Sequence, residues 1–170
     1  VKEAVVDGMP LVRRVVTVTG SCVREPANLM VPIGTLVSDI IEVCGGTRIP
    51  PKKVIVGGPM MGIAQYTTEI PVTKGTSGIL LLSEKEVAGD EPIACIRCGR
   101  CVEACPMNLM PLWIAGYAEA ARFDESERLG ALDCIECGCC SFICPSRRRL
   151  VQGIRLAKAE IRARRNAKRG

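Results

Sequence analysis

Histidine is missing altogether from these 170 residues. Its absence excludes Ser-His-Asp and Cys-His catalytic arrangements, HExxH zinc proteases, and haem held by a proximal histidine. Aromatic side chains are scarce: Tyr66, Trp113, Tyr117, Phe123 and Phe142 are all there are. That is too few for the platforms on which single-stranded nucleic acids stack their bases. Long apolar runs are missing too. Stretches such as Ile79–Leu82 fall far below the roughly 18 residues that cross a bilayer. The opening Val1-Lys2-Glu3-Ala4 leads into no long apolar stretch, so it does not resemble a signal peptide. It also lacks an initiating Met, and residues 1–9 are expected to be the remnant of a domain lying upstream.

What is present is enough to build a core. Hydrophobic residues make up 48% and charged residues 24% of the chain, the balance of one ordinary domain or two small ones. The formal net charge of +5 is unevenly spread. From Ser146 to Gly170 there are eight Arg and two Lys against one Glu, so a basic tail follows a mildly acidic body. Such a tail suggests a local partner surface, not a footprint for nucleic acid over the whole protein.

Pattern along the chain points to an α+β fold. Val12–Thr19 is rich in β-branched residues and reads as a strand ended by Gly20; Asn28–Ile33 reads as a second. Thr35 is expected to cap a helix with Leu36, Ile40, Ile41 and Cys44 on one face and Gly45-Gly46 as its stop. Lys53–Val56, Ile70–Thr73 and Ile79–Leu82 complete the set of short strands. Several strands around one helix predict a β-grasp domain over residues 10–83. Residues 84–93 are polar with Gly and Pro and predict a linker. Beyond it, residues 94–148 are dominated by cysteine and residues 149–170 by basic side chains. Pro111 suits the first turn of a helix reaching about Arg122. Asp124-x-x-Glu127 resembles a capping box opening a short helix towards Leu132. A last helix starts near Leu150, with Leu150, Ile154, Ala157 and Ile161 as its apolar stripe and Arg and Lys on the other side.

Nine of the eleven cysteines lie between Cys95 and Cys144. Cys95-x2-Cys98-x2-Cys101-x3-Cys105-Pro106 and Cys134-x2-Cys137-x2-Cys140-x3-Cys144-Pro145 share the spacing of bacterial ferredoxins, whose fourth cysteine ligates the other cluster. Three cysteines on a tight loop reach three corners of one cubane, and the fourth, a helical turn later, closes its neighbour. The spacing therefore predicts one [4Fe–4S] cluster on Cys95, Cys98, Cys101 and Cys144. A second falls to Cys134, Cys137, Cys140 and Cys105. Zinc is the competing ligand for paired C-x2-C units, but it does not call for this third and fourth cysteine with proline following, twice over. A disulfide framework needs an oxidising compartment, for which nothing here speaks. Cys139 falls outside the register and is expected to be a packed thiol, as are Cys22 and Cys44. Gly99 and Gly138 read either as close approaches to cluster sulfur or as turn glycines. Pro106–Asp133, between the two runs, is far longer than a minimal ferredoxin needs and predicts a helical two-cluster module.

The two cysteine runs, Cys95-Ile-Arg-Cys-Gly-Arg-Cys-Val-Glu-Ala-Cys-Pro-Met and Cys134-Ile-Glu-Cys-Gly-Cys-Cys-Ser-Phe-Ile-Cys-Pro-Ser, carry a resemblance. So do Thr17-Val-Thr-Gly, Val31-Pro-Ile-Gly-Thr35, Gly57-Gly-Pro-Met-Met-Gly62 and Lys74-Gly-Thr. Together they resemble the C subunit of the Rnf (Rsx) electron-transport complex over nearly the whole chain. The resemblance implies a soluble-ligand-binding β-grasp (SLBB) domain followed by a helical double-[4Fe–4S] domain. It implies a complex coupling electron transfer between ferredoxin and NAD to Na⁺ or H⁺ translocation. The protein would lie peripherally on the cytoplasmic face of the bacterial inner membrane, with other Rnf subunits and a ferredoxin-type protein as partners. It also implies an NADH- and FMN-binding domain upstream, of which these residues hold nothing. Gly57-x4-Gly62 matches half of a phosphate loop, but Ile63-Ala64 stand where Lys and Ser/Thr are required. Pro59 removes a phosphate-facing N–H. A structural turn is therefore expected there, with Met60 and Met61 as packing or partner contacts. No catalytic acid or base is expected, and the chain by itself reads as an electron carrier. A cobalamin reductase of related layout is the redox alternative; a zinc or nucleic-acid-binding module using the basic tail is the non-redox one. Arg147, Arg148 and Arg149 follow a predicted ligand directly. They are expected to offset cluster charge, to meet an anionic lipid or an acidic partner protein, or to form a solvated face.

Overall fold

The computed structural model describes residues 1–87 and 91–168. The chain divides into two compact units, Val1–Gly89 and Asp90–Gly170.

In the first unit a short helix, α1 (Lys2–Val6), precedes strands β1 (Arg13–Thr19) and β2 (Ala27–Pro32). Helix α2 (Val37–Val43), β3 (Lys53–Val56), β4 (Ile63–Gln65), β5 (Gly78–Leu82) and α3 (Glu84–Val87) follow. The sheet order is β2-β1-β5-β3-β4, with β1 parallel to β5 and every other pairing antiparallel. Two hairpins joined through a central parallel pair, with a helix on one face, is the β-grasp arrangement. Alternation along β1 explains which face closes. Val16 and Val18 are fully buried while Val15, Thr17 and Thr19 face out, as a period of two requires. Val16 and Val18 pack with Ile40 and Ile41 of α2, Val54, Ile79 and Leu81. Cys22 and Cys44 are buried in this same core as free thiols.

Two expectations are corrected here. Thr35 does not cap α2: the cap is Leu36, without a side-chain hydrogen bond, and the Thr35 hydroxyl instead donates to the Pro32 carbonyl at 2.9 Å. The open N–H groups of α2 find backbone acceptors, Val37 N–H donating to Ile70 O at 3.0 Å and Ser38 N–H to Thr68 O at 3.1 Å. That duty removes Ile70–Thr73 from the sheet. The segment runs across the start of α2, held by bonds from Gly34 N–H to Val72 O and from Val72 N–H to Thr35 O, and makes only an isolated bridge from Pro71 to Leu36. The expected stop of α2 is as read. Gly45 adopts φ +77°, and Gly46 N–H returns to Ile41 O at 3.0 Å, the closure of a Schellman motif. Gly57–Gly62 closes the β3–β4 hairpin, Gly62 N–H bonding Gly58 O at 2.7 Å.

The second unit is helical: α4 (Arg100–Glu103), α5 (Pro111–Glu119), α6 (Phe123–Arg128), a 3-10 turn (Ala131–Asp133), α7 (Cys139–Phe142) and α8 (Leu150–Ala167). Pro111 occupies the first turn of α5 as expected. That helix ends at Glu119 and not near Arg122, because Ala121 turns left-handed (φ +55°) and Arg122 N–H closes back on Tyr117 O at 2.8 Å. The chain turns directly into α6, so Asp124 lies inside the helix and caps nothing. Glu127 is drawn instead to Arg165 of α8. Ile114, Ala115, Ala118, Leu150, Ile154, Ala157 and Ile161 form the core between α5 and α8. Gly153 permits that approach, since a Cβ there would stand 2.9 Å from the Ala115 Cβ. Lys158 corrects the expected helix faces: it lies on the buried side of α8, 6% exposed.

Candidate metal centres

Each cysteine run folds as the same loop. Arg97 and Glu136, one residue before the second cysteine, adopt φ +55° and +58°. Gly99 and Gly138, one residue after it, adopt φ +79° and +86° and cap α4 and α7. Asn108 and Arg147, two residues beyond each Cys-Pro, are left-handed as well. These reversals bend the backbone into a cup, and the third cysteine of each run stands on the short helix that leaves it. At Gly99 and Gly138 the left-handed backbone by itself favours glycine.

The loops point N–H groups at sulfur. Arg97 N–H donates to Cys95 Sγ, Glu136 N–H to Cys134 Sγ and Leu109 N–H to Cys105 Sγ, each at 3.3 Å. Such bonds stabilise a thiolate and raise the potential of a cluster bound to it.

The fourth cysteine of each run crosses over. Cys95, Cys98, Cys101 and Cys144 line one cavity, with Leu112 and Leu150 in its wall. Cys105, Cys134, Cys137 and Cys140 line the other, against Leu109, Val151 and Ile154. All eight predicted positions are thus brought together in the predicted sets of four. Cys139 stands outside both sets; its thiol hydrogen-bonds that of Cys137, which pushes its pKa up. Among the described residues no three Cys, Asp or Glu side chains converge as they would on a single ion. Four thiols spaced around an apolar cavity, with backbone donors on their sulfurs, fit a cubane of four irons.

Burial pushes the Cys140 thiol up to about 11, and it raises Cys101 and Cys134 as well. On Cys134 the burial is opposed by Glu136 N–H and by the charge of Lys158. The Lys158 ammonium donates to Cys134 O at 2.7 Å and to Glu136 Oε1 at 2.6 Å, while Arg155 Nε donates to Glu136 Oε2 at 2.9 Å. Lys158 and then Arg155 hold the Glu136 carboxyl below the usual range. At the first cavity Arg148 lies in the wall and pairs with Glu119 at 2.5 Å. The Lys158 group is the feature that sequence reading missed. Its signal was a lysine one helical turn after Ile154 and just before Ile161, on the apolar stripe itself.

Residues 15–64 match the SLBB domain family and residues 88–145 the 4Fe-4S dicluster domain family. The class is thereby defined: an iron–sulfur protein with an SLBB domain followed by a domain for two [4Fe–4S] clusters. The chain is 47% identical over 97% of its length to the C subunit of the Na(+)-translocating ferredoxin:NAD(+) oxidoreductase complex of Acetobacterium woodii. It is 46% identical over 96% to the proton-translocating counterpart of Clostridium ljungdahlii. To the C subunit of the ion-translocating oxidoreductase complex of Methanosarcina acetivorans it is 48% identical over 98%. Over this stretch the chain is similar to the C subunits of the ion-translocating oxidoreductase complexes. It spans 37%, 36% and 37% of those three relatives, respectively.

Proposed function

We propose that the chain is the electron-carrying segment of such a C subunit, handing single electrons through two [4Fe–4S] clusters within a membrane-associated complex. Cys95, Cys98, Cys101 and Cys144 hold the first cluster; Cys134, Cys137, Cys140 and Cys105 hold the second. The observation that carries this reading is the crossing of Cys105 and Cys144 into each other's cavity, which ties both sites into one helical core. When bound, each cluster takes up and releases one electron without making or breaking a bond in the protein. The chain's own residues supply the rest. The thiols ligate, Leu109, Leu112, Leu150 and Ile154 exclude water, and the loop N–H groups of Arg97, Leu109 and Glu136 stabilise negative sulfur.

The names of the relatives support a place in ferredoxin:NAD(+) chemistry coupled to translocation of Na⁺ or H⁺. Other subunits of such a complex and a ferredoxin-type protein are then the partners. Hydride chemistry with NADH and FMN falls to a region outside the matched residues. Attachment through those partners would be peripheral, on the cytoplasmic face; among the described residues no helix is long and apolar enough to cross a membrane.

Anaerobic reconstitution with iron and sulfide analysis and EPR of the dithionite-reduced protein tests the reading. The expected result is about eight iron and eight sulfide per chain and the signal of two interacting clusters. About four iron would end the two-cluster reading, and zinc in place of iron would end electron carriage altogether.

A further inference from the structure

The two cavities share one backbone plan but not one charge plan. Position by position, Arg97 in the first run corresponds to Glu136 in the second, and Glu119 of α5 to Lys158 of α8. The signs are exchanged, and so is the setting. Glu119 is half exposed and pairs with Arg148 at the surface, whereas the Lys158 side chain is 8% exposed. An ammonium on an apolar helix stripe carries a desolvation cost that a methionine in the same place would avoid. The fold accepts that cost in one geometry: Lys158 Nζ on Cys134 O at 2.7 Å and on Glu136 Oε1 at 2.6 Å. Arg155 meets the same carboxylate. The ammonium is thereby fixed against the first loop of the second cavity. There, water and salt screen it less than they screen a surface charge.

We infer that Lys158 raises the reduction potential of the cluster held by Cys134, Cys137, Cys140 and Cys105. The inference rests on the two-cluster reading proposed above. Reduction adds one electron from a low-potential one-electron donor and no proton, so the bound group becomes more negative by one unit. A fixed cation beside it favours the reduced form. Lys158 acts on the potential through the Cys134 loop. It is a tuning residue and takes no part in ligation.

The test is a potentiometric EPR titration of the full chain holding both clusters, with dithionite as reductant and chain-bound iron measured alongside. Lys158→Met is expected to lower one midpoint, changing the reduced-to-oxidised ratio at fixed potential at least tenfold, about 59 mV for one electron, and to leave the other in place. Glu136→Gln, which removes the anion and keeps the cation, is expected to raise that same midpoint. Lys158→Arg should restore the unsubstituted value, and Glu119→Gln should not move that midpoint. Opposite shifts from Lys158→Met and Glu136→Gln are not produced by loosened packing. The inference is overturned if both leave the midpoints unmoved or shift them in the same direction. Should Lys158→Met fail to hold iron, Lys158→Gln, which keeps a polar contact for Cys134 O without the charge, decides in its place, a fall supporting the inference and no shift or a rise overturning it. Failure of the two-cluster reading itself shows separately, as low iron in the unsubstituted chain.

Discussion

At Cys140 the physics of a single side chain sets how the domain is assembled. Burial holds its thiol neutral up to about pH 11, while a metal is bound by the thiolate. Loading must therefore expel protons, and it improves as pH rises towards that value. We expect reconstitution of the second site to be faster and more complete at pH 9 than at pH 7, followed by the growth of visible absorbance. Gly20 makes a different single-residue demand. It sits at φ +121°, and a Cβ there would stand 2.1 Å from Leu81 O. Gly20→Ala should cost at least about 2 kcal/mol in urea unfolding of the β-grasp unit, with iron content unchanged. The two sets of four cysteines that line the cavities were legible residue by residue, because their spacing is a local property of the chain. Lys158 was not, since its burial depends on which side of α8 meets α5.

Among the elements, α8 decides the most. Its stripe of Leu150, Ile154, Ala157 and Ile161 was readable from periodicity, and these residues are buried against α5 and its neighbours. What periodicity could not say is that the basic tail is part of the fold. Arg164 pairs with Asp124, and Arg165 with Glu127, both on α6. Ile161→Ala, remote from the cavity walls, should destabilise the second unit by about 2–5 kcal/mol. Chemical denaturation monitored by loss of cluster absorbance would check it. Helix α3 offers the pH counterpart. The Ser21 hydroxyl, then the N–H and hydroxyl of Ser83, hold the Glu86 carboxyl below the usual range. A lowered carboxylate stabilises the folded state above its ordinary pKa of about 4.3. That contribution disappears as pH falls through the lowered value. Protection of the Glu86 amide against exchange, taken relative to the intrinsic rate at each pH, is expected to fall on that acid side, and Glu86→Gln should abolish the dependence.

For the whole molecule, two cores mean two separate stabilities. The first is closed by Val16, Val18, Ile40 and Leu81, with no cavity thiol among them, while the second encloses both sets of four. Removing iron with chelator and oxidant is therefore expected to open the second unit alone. Hydrogen exchange read by mass spectrometry should show β1 and β5 still protected while α5 and α8 lose protection. Equal loss in both would mean that the units do not hold their structure independently.

Local chemistry decided what the sequence alone could determine. Cysteine spacing singled out the two sets of four, β-branched composition marked β1, and the glycine pair marked the end of α2. Wherever a backbone group could choose between partners, tertiary structure decided. Ile70–Thr73 had the composition of a strand, but the Val37 N–H of α2 claimed the Ile70 carbonyl and the Gly34 N–H that of Val72. Asp124 and Glu127 had the spacing of a cap, but Ala121 turned the chain early and Arg165 took the glutamate. Lys158 had the charge of a surface residue, and only the meeting of α5, α8 and the second cysteine loop placed it against Cys134. Spacing is written along the chain, whereas burial and partner choice depend on surfaces that exist only once distant segments have come together.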